Sequence, residues 1–198
     1  HDHLDGGLRP STIIELAKDL GVTTLPTYNV TELGNWMTAT ADRKDLELYL
    51  EAFSHTLSVM QTEDGLYRVA AECAEDLAND GIIYAEVRYA PELHLSEGLT
   101  VPRVIERVLE GFRSGSEGKG IIVNTLICAI RSRTRSKEMM EHALHFRSRG
   151  VVGFDIAGPE IGYPPSAHIE AFKLAIDSDF PVTIHAGEVG GVDYIREA

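Results

Sequence analysis

The 198 residues suit one large domain or two small ones, and 43% hydrophobic with 25% charged residues excludes a disordered, collagenous or disulfide-stapled chain. Against 31 acidic side chains stand 18 basic ones, a net charge of −13 that disfavours nucleic acid and anionic membrane as partners. No stretch approaches the roughly 18 uninterrupted apolar residues of a membrane span, no secretory signal is visible, and Cys73 and Cys128 read as reduced core residues, which together suggest the cytoplasm.

The chain opens on His1-Asp2-His3-Leu4-Asp5-Gly6-Gly7. A helix is predicted over about 11–20, where Thr12 with Glu15 has capping-box spacing and Gly21 suits the stop. Residues 21–42 read as irregular, with room for a short helix around 31–38. From 42 to 60 the pattern is helical again, with Leu46, Tyr49, Leu50, Phe53 and Leu57 on one face. A further helix spans about 63–79 and ends at Asn79-Asp80-Gly81. Ile82–Tyr89 reads as a strand, bounded by Gly81 and Pro91. Thr100 caps a helix that carries Pro102 in its first turn and Val104, Ile105, Val108, Leu109 and Phe112 along one stripe. Strands over 121–130, 151–156 and 180–185 then alternate with helices over 136–146 and 166–176, and another helix begins at 192.

From Ile82 onward this is an α/β chain whose nearly continuous apolar strands fit a parallel sheet covered by helices. Both common nucleotide-binding fingerprints are missing. Polar residues collect just past the strand ends: Arg88, Glu92, Arg131, Asp155, Gly158, His185 and Glu188. Parallel α/β folds carry their chemistry at that edge.

If His1 and His3 end a strand, both rings leave the same face and are able to bind one divalent metal; HxH in isolation is better read as two solvated histidines. His185 ends an apolar run, and Glu188 follows across a turn of small residues, which suits a metal ligand with a proton shuttle. Simpler structural readings stand beside these. Asp5-Gly6 is a turn, Asp155 makes an ordinary hydrogen bond, and Glu86 with Arg88 forms a buried ion pair or supplies polar residues of a barrel. His55, His142, His145 and His168 lie on helix surfaces or rims, His94 is open, and the Tyr49/Leu50/Phe53 stripe is core packing.

Taken in order, His1-Asp2-His3-Leu4-Asp5-Gly6, the strand Ile82–Tyr89 with Ala90-Pro91, Val152-Gly153-Phe154-Asp155-Ile156-Ala157-Gly158-Pro159-Glu160 and Thr183-Ile184-His185-Ala186-Gly187-Glu188 resemble the adenosine deaminase family, its bacterial branch in particular. The resemblance covers essentially the whole chain. It implies a metal-dependent (β/α)8 TIM-type barrel of the amidohydrolase kind, represented by about its first five strands. It implies hydrolytic deamination of adenosine or deoxyadenosine to inosine or deoxyinosine plus ammonia. A zinc ion would be bound by His1, His3, His185 and a later Asp, and would make hydroxide available near neutral pH for attack at C6. Glu188 would donate a proton to N1, Gly158 would offer its backbone N–H to the purine, and Asp5 would bind a ribose hydroxyl. His3 would touch substrate as well as metal, and Leu46, Tyr49, Leu50 and Phe53 match the family's apolar lid. Asp5, where adenine deaminases of the superfamily tend to carry Glu, favours a nucleoside as the small-molecule partner. The family's later His and Asp motifs are not in the sequence, so residues 1–198 are expected to be a single domain truncated at both ends and inactive alone. The alternatives are an adenine or modified-purine deaminase, or a non-catalytic remnant that binds metal or nucleoside.

Overall fold

Three apolar runs form the sheet of the computed structural model, which describes residues 1–42 and 46–198, with the side chains of Leu46, Glu47, Leu48 and Glu51 outside the description. β1 (Tyr84–Tyr89), β2 (Ile122–Ile130) and β3 (Val151–Ala157) pair in parallel and in sequence order. A single parallel bridge from His3 to Arg88 sets the N-terminal segment beside β1, and another from Phe154 to Val182 sets residues 180–185 beside β3. The five expected strand segments thus lie side by side, the inner three as ladders and the outer two as bridges. Residues 180–185 do not form the predicted strand. Pro181 has no N–H to extend the ladder, which leaves Phe154 N–H donating to Pro181 O at 3.0 Å and Thr183 N–H to Phe154 O at 2.9 Å.

The helices run in chain order: α1 (Pro10–Leu20), α2 (Val30–Ala41), α3 (Leu46–Ser58), α4 (Glu63–Asn79), α5 (Val101–Ser116), α6 (Ser136–His145), α7 (Ile169–Asp177) and α8 (Val192–Glu197). α1 stops at Gly21, left-handed at φ 68°, as expected. Its start differs from the expected capping box. Pro10 opens the helix, so Thr12 lies inside it, and the Thr12 hydroxyl donates to Glu72 Oε2 at 2.5 Å instead. Thr100 does cap α5, its hydroxyl accepting from Arg103 N–H at 3.4 Å. α5 lies very close to α4. A Cβ on Gly115 would stand 2.1 Å from the carbonyl oxygen of Ala71, so only glycine permits that approach.

One face of the sheet is covered by helices. Val87, Tyr89, Ile127, Ala129, Phe154 and Ile156 point into this core with Val104, Ile105, Val108 and Phe112 of α5. The opposite face carries Arg88, Cys128 and Asp155, and near its strand starts Tyr84 and Ile122 stand 50% and 61% exposed. A parallel α/β sheet with helices outside and a polar inner face has the architecture of an incomplete barrel. Among the described residues no helix is long and apolar enough to cross a membrane.

The structure corrects two readings, the Glu86–Arg88 ion pair and the surface position of His168, and it places His94, left open by the sequence. Glu86 is exposed and accepts from the Tyr84 hydroxyl at 2.6 Å, while Arg88 reaches across β2 to pair with Asp155, so Glu86 and Arg88 do not pair. His168 is buried, because it sits at the joint between a short 3-10 turn and α7, where its Nε2 lies 3.0 Å from Arg131 O. His94 is fully buried, with Nδ1 3.1 Å from Met60 O.

Candidate metal centre

The N-terminal segment is pinned to the end of β1 by two backbone bonds of 2.9 Å, Leu4 N–H to Arg88 O and Arg88 N–H to Asp2 O. Extended backbone there sends His1 and His3 to one side. His185, only 4% exposed, arrives from the far edge of the sheet. The ligand nitrogens of His1, His3 and His185 all lie within 4.8 Å of one another, and among the described residues no other such group occurs. His3 Nε2 stands 3.1 Å from His185 Nε2. Two nitrogens bound tetrahedrally at about 2.05 Å would be roughly 3.3 Å apart, so the pair is spaced for one small ion. In a flat sheet the first and fifth segments would lie about 19 Å apart. Their histidines meet because the sheet curls.

Behind His185, Asp155 Oδ2 lies 2.8 Å from Nδ1, which leaves Nε2 facing the cluster. Asp155 is completely buried, is paired with Arg88, and accepts a weak bond from Cys128 Sγ at 3.7 Å. A carboxylate behind a histidine fixes its tautomer and orientation in metal sites. Burial first, then the neighbouring His185 and Arg88, lowers the His3 pKa to about 4. Its imidazole is therefore neutral near pH 7, as a metal ligand must be.

Asp5 is buried beside the cluster, with Oδ1 4.0 Å from His3 Nδ1. Its Oδ2 accepts from Ala90 N–H at 3.3 Å, and Oδ1 has no hydrogen-bond partner among the described residues. Burial pushes its pKa up to about 6. Over the following turn lies α3. Phe53 covers Gly6 so closely that a Cβ there would meet its ring at 2.7 Å, and Tyr49 packs edge-on against Phe53 with centroids 5.3 Å apart. A cavity of about 130 Å³ opens between Gly6, Met37, Tyr49, Phe53 and Thr56. Burial, then the carboxylates of Asp5 and Glu188, raises the Tyr49 pKa. Leu50 is half-buried and does not line the cavity; the Leu46 side chain lies outside the described residues.

Gly158 follows β3 with φ 106°, a backbone shape that side-chain-bearing residues rarely adopt. Glu188 is exposed, on the loop after His185. That loop is held from two sides. Glu160, 1% exposed, accepts from Gly187, Val189 and Gly190 N–H at 2.5, 2.7 and 2.6 Å. Arg131, 2% exposed, donates from Nη1 to His185 O at 2.8 Å. The structure thus gathers His1, His3, His185 and Asp5, with Tyr49 and Phe53 of α3 over the turn at Gly6. The site roles of Asp155, Arg88, Arg131 and Glu160 are not evident from the sequence; the available signal is that each lies near the C-terminal end of a strand.

A family model described as adenosine deaminase matches residues 1–198. The chain is 55% identical to adenosine deaminase 1 of Streptomyces coelicolor, covering 100% of the chain and 51% of that protein. It is 53% identical to an adenosine deaminase of Mycobacteroides abscessus, covering 100% and 56%. The chain therefore spans about half the length of the curated relatives it matches. Among solved structures it is similar to an adenine deaminase of Arthrobacter aurescens, at TM-score 0.86 and 26% identity, covering 100% of the chain and 59% of that one. It is also similar to an N6-mAMP deaminase of Arabidopsis, at TM-score 0.84 and 29% identity, covering 99% and 60%.

Proposed function

The chain belongs to the adenosine deaminase family, and from that premise we propose that the whole protein hydrolyses adenosine or deoxyadenosine to inosine or deoxyinosine, releasing ammonia. The observation that carries this reading is the three-histidine cluster at the strand ends, with Asp155 behind His185 and Glu188 three residues beyond. Family members depend on a metal, and the spacing of His1, His3 and His185 fits zinc. When bound, zinc lowers the pKa of water and so supplies a nucleophile at neutral pH.

The chain's own residues supply the rest. Asp155 keeps His185 Nε2 directed at the cluster, and Arg88 keeps Asp155 in place. Glu188 carries the proton: it donates to purine N1, which draws electrons from C6 and prepares that carbon for attack. The unpartnered Asp5 Oδ1 suits a donor hydroxyl of ribose. Gly158 offers its N–H to the purine, and His3 borders the substrate as well as the metal. Tyr49 and Phe53 of α3 form the apolar lid that keeps bulk water off the base. Adenosine is preferred to adenine as the substrate because the relatives named adenosine deaminase are 53–55% identical, against 26% for the adenine deaminase. The partner is thus a small purine nucleoside rather than nucleic acid or membrane. Free Cys73 and Cys128 fit a reducing compartment, the cytoplasm.

The test is ultraviolet-monitored conversion of adenosine to inosine, by this chain and by the protein carried to the full length of its relatives. The full-length form is expected to turn over, to lose activity to a chelator and to regain it with zinc. Glu188→Gln should lower kcat by about 10²–10⁴-fold. Chelator-resistant turnover, or a Glu188→Gln enzyme at full speed, overturns the reading.

A further inference from the structure

The loop 186–190 carries Glu188 yet has no regular secondary structure of its own. Something else must set its shape. Glu160, on the loop after β3, accepts three of its backbone N–H groups, one on each side of Glu188 and a third at Gly190. Arg131 takes the carbonyl of His185 just upstream. The signs match the backbone dipoles: an anion gathers amide hydrogens, and a cation holds a carbonyl oxygen. Both charged groups are buried, so the interactions are little weakened by solvent. Burial alone would raise the Glu160 pKa, but the three N–H donors, with Arg131, bring it below the ordinary carboxylate value. The residue thus stays ionised near pH 7, with both oxygens available as acceptors.

We propose that Glu160 is a positioning residue for the reaction: it fixes the loop so that the Glu188 carboxylate is presented to the substrate. The inference rests on Glu188 being the proton carrier. Glu160 touches neither metal nor substrate in this assignment; it acts through the backbone on both sides of Glu188. Glu160→Gln tests it, because the amide keeps the volume but replaces one acceptor oxygen with an NH₂ that faces other N–H donors.

The protein at the full length of its relatives is compared with Glu160→Gln, Glu160→Asp and Glu188→Gln. Glu160→Gln is expected to lower kcat by about 10- to 100-fold per folded, zinc-loaded molecule, the range of lost supporting bonds around a site. KM and zinc content should stay near wild type. Amide hydrogen exchange at Gly187, Val189 and Gly190 should accelerate by about tenfold or more, which is a readout independent of turnover. Glu160→Asp, which keeps the charge and both oxygens, should retain a higher kcat than Glu160→Gln. Should Glu160→Gln fail to fold, the slower turnover and faster local exchange of Glu160→Asp relative to wild type carry the test. Wild-type kcat or unchanged exchange in the tested variant overturns the proposal, as does a thermal midpoint that falls with no loss of kcat per loaded molecule. If wild type does not deaminate adenosine, or Glu188→Gln is fully active, the functional reading fails instead.

Discussion

Asp155 meets three partners with one oxygen: Arg88, Cys128 and His185. His185 Nδ1 lies 2.8 Å from this carboxylate without hydrogen-bond alignment, and a carboxylate that accepts from a ligand histidine's second nitrogen holds it in one tautomer and raises its strength as a ligand. Asp155→Asn should therefore weaken zinc binding by about 10- to 100-fold, measured by competition with a chromogenic chelator. Unchanged affinity would show that His185 is oriented by packing alone. His94 supports a different prediction, about pH. It is fully buried, and burial lowers its pKa from 6.5 to about 4. The unfolded chain therefore takes up a proton at His94 as pH falls below 6.5, while the folded chain does not until about 4. That difference removes about 3 kcal/mol of stability across the window. His94→Asn should show a correspondingly shallower loss in urea unfolding between those limits, and parallel curves for the two proteins would contradict it. Asp5 and Asp155 also show what a sequence conveys at this scale. Short spacing places His1 and His3 on one face, whereas the joining of His185 to them is legible only through the resemblance of HxHLDG with HAGE to the adenosine deaminase family. The pairing of Arg88 with Asp155, 67 positions along the chain, depends on strand register and is not legible locally.

At the scale of elements, most of the chain follows local rules. The apolar stripe and Thr100 cap of α5, the Gly21 stop of α1 and the alternation of strand and helix after residue 82 were all readable, because each depends on neighbours within a turn or two. The departures have named causes. Pro10 starts α1 ahead of Thr12, and Pro181 prevents a ladder where hydrophobicity alone predicts one. Arg131 and Glu160 escaped assignment because their partners are backbone groups, which carry no sequence signature. Packing of α5 on α4 is similarly hidden until the two helices are placed together. Gly115→Ala sets a methyl group 2.1 Å from Ala71 O, so the helices must separate. The substitution should destabilise the protein by about 2 kcal/mol or more, outweighing the roughly 1 kcal/mol that alanine gains over glycine within a helix. Chemical denaturation of the two proteins measures it, and a stabilised variant would show that the contact yields without cost.

For the whole molecule, the barrel-like curvature explains why chemistry gathers at one edge. Five parallel segments in sequence order leave their ends at the same rim, and curling brings the first to the fifth. Each segment otherwise borders only the one before and the one after it, apart from the crossover helices that follow it. This has a consequence for the way the protein is made. A ribosome releases the chain from its amino end, and every neighbouring pair is able to dock as soon as the later member has emerged. The histidine cluster is the exception: His3 must wait through 182 further positions for His185. Metal capture by these imidazoles therefore waits on His185, and a ribosome paused before it would hold a nascent chain with β1, β2 and β3 emerged but only two of the three imidazoles in place.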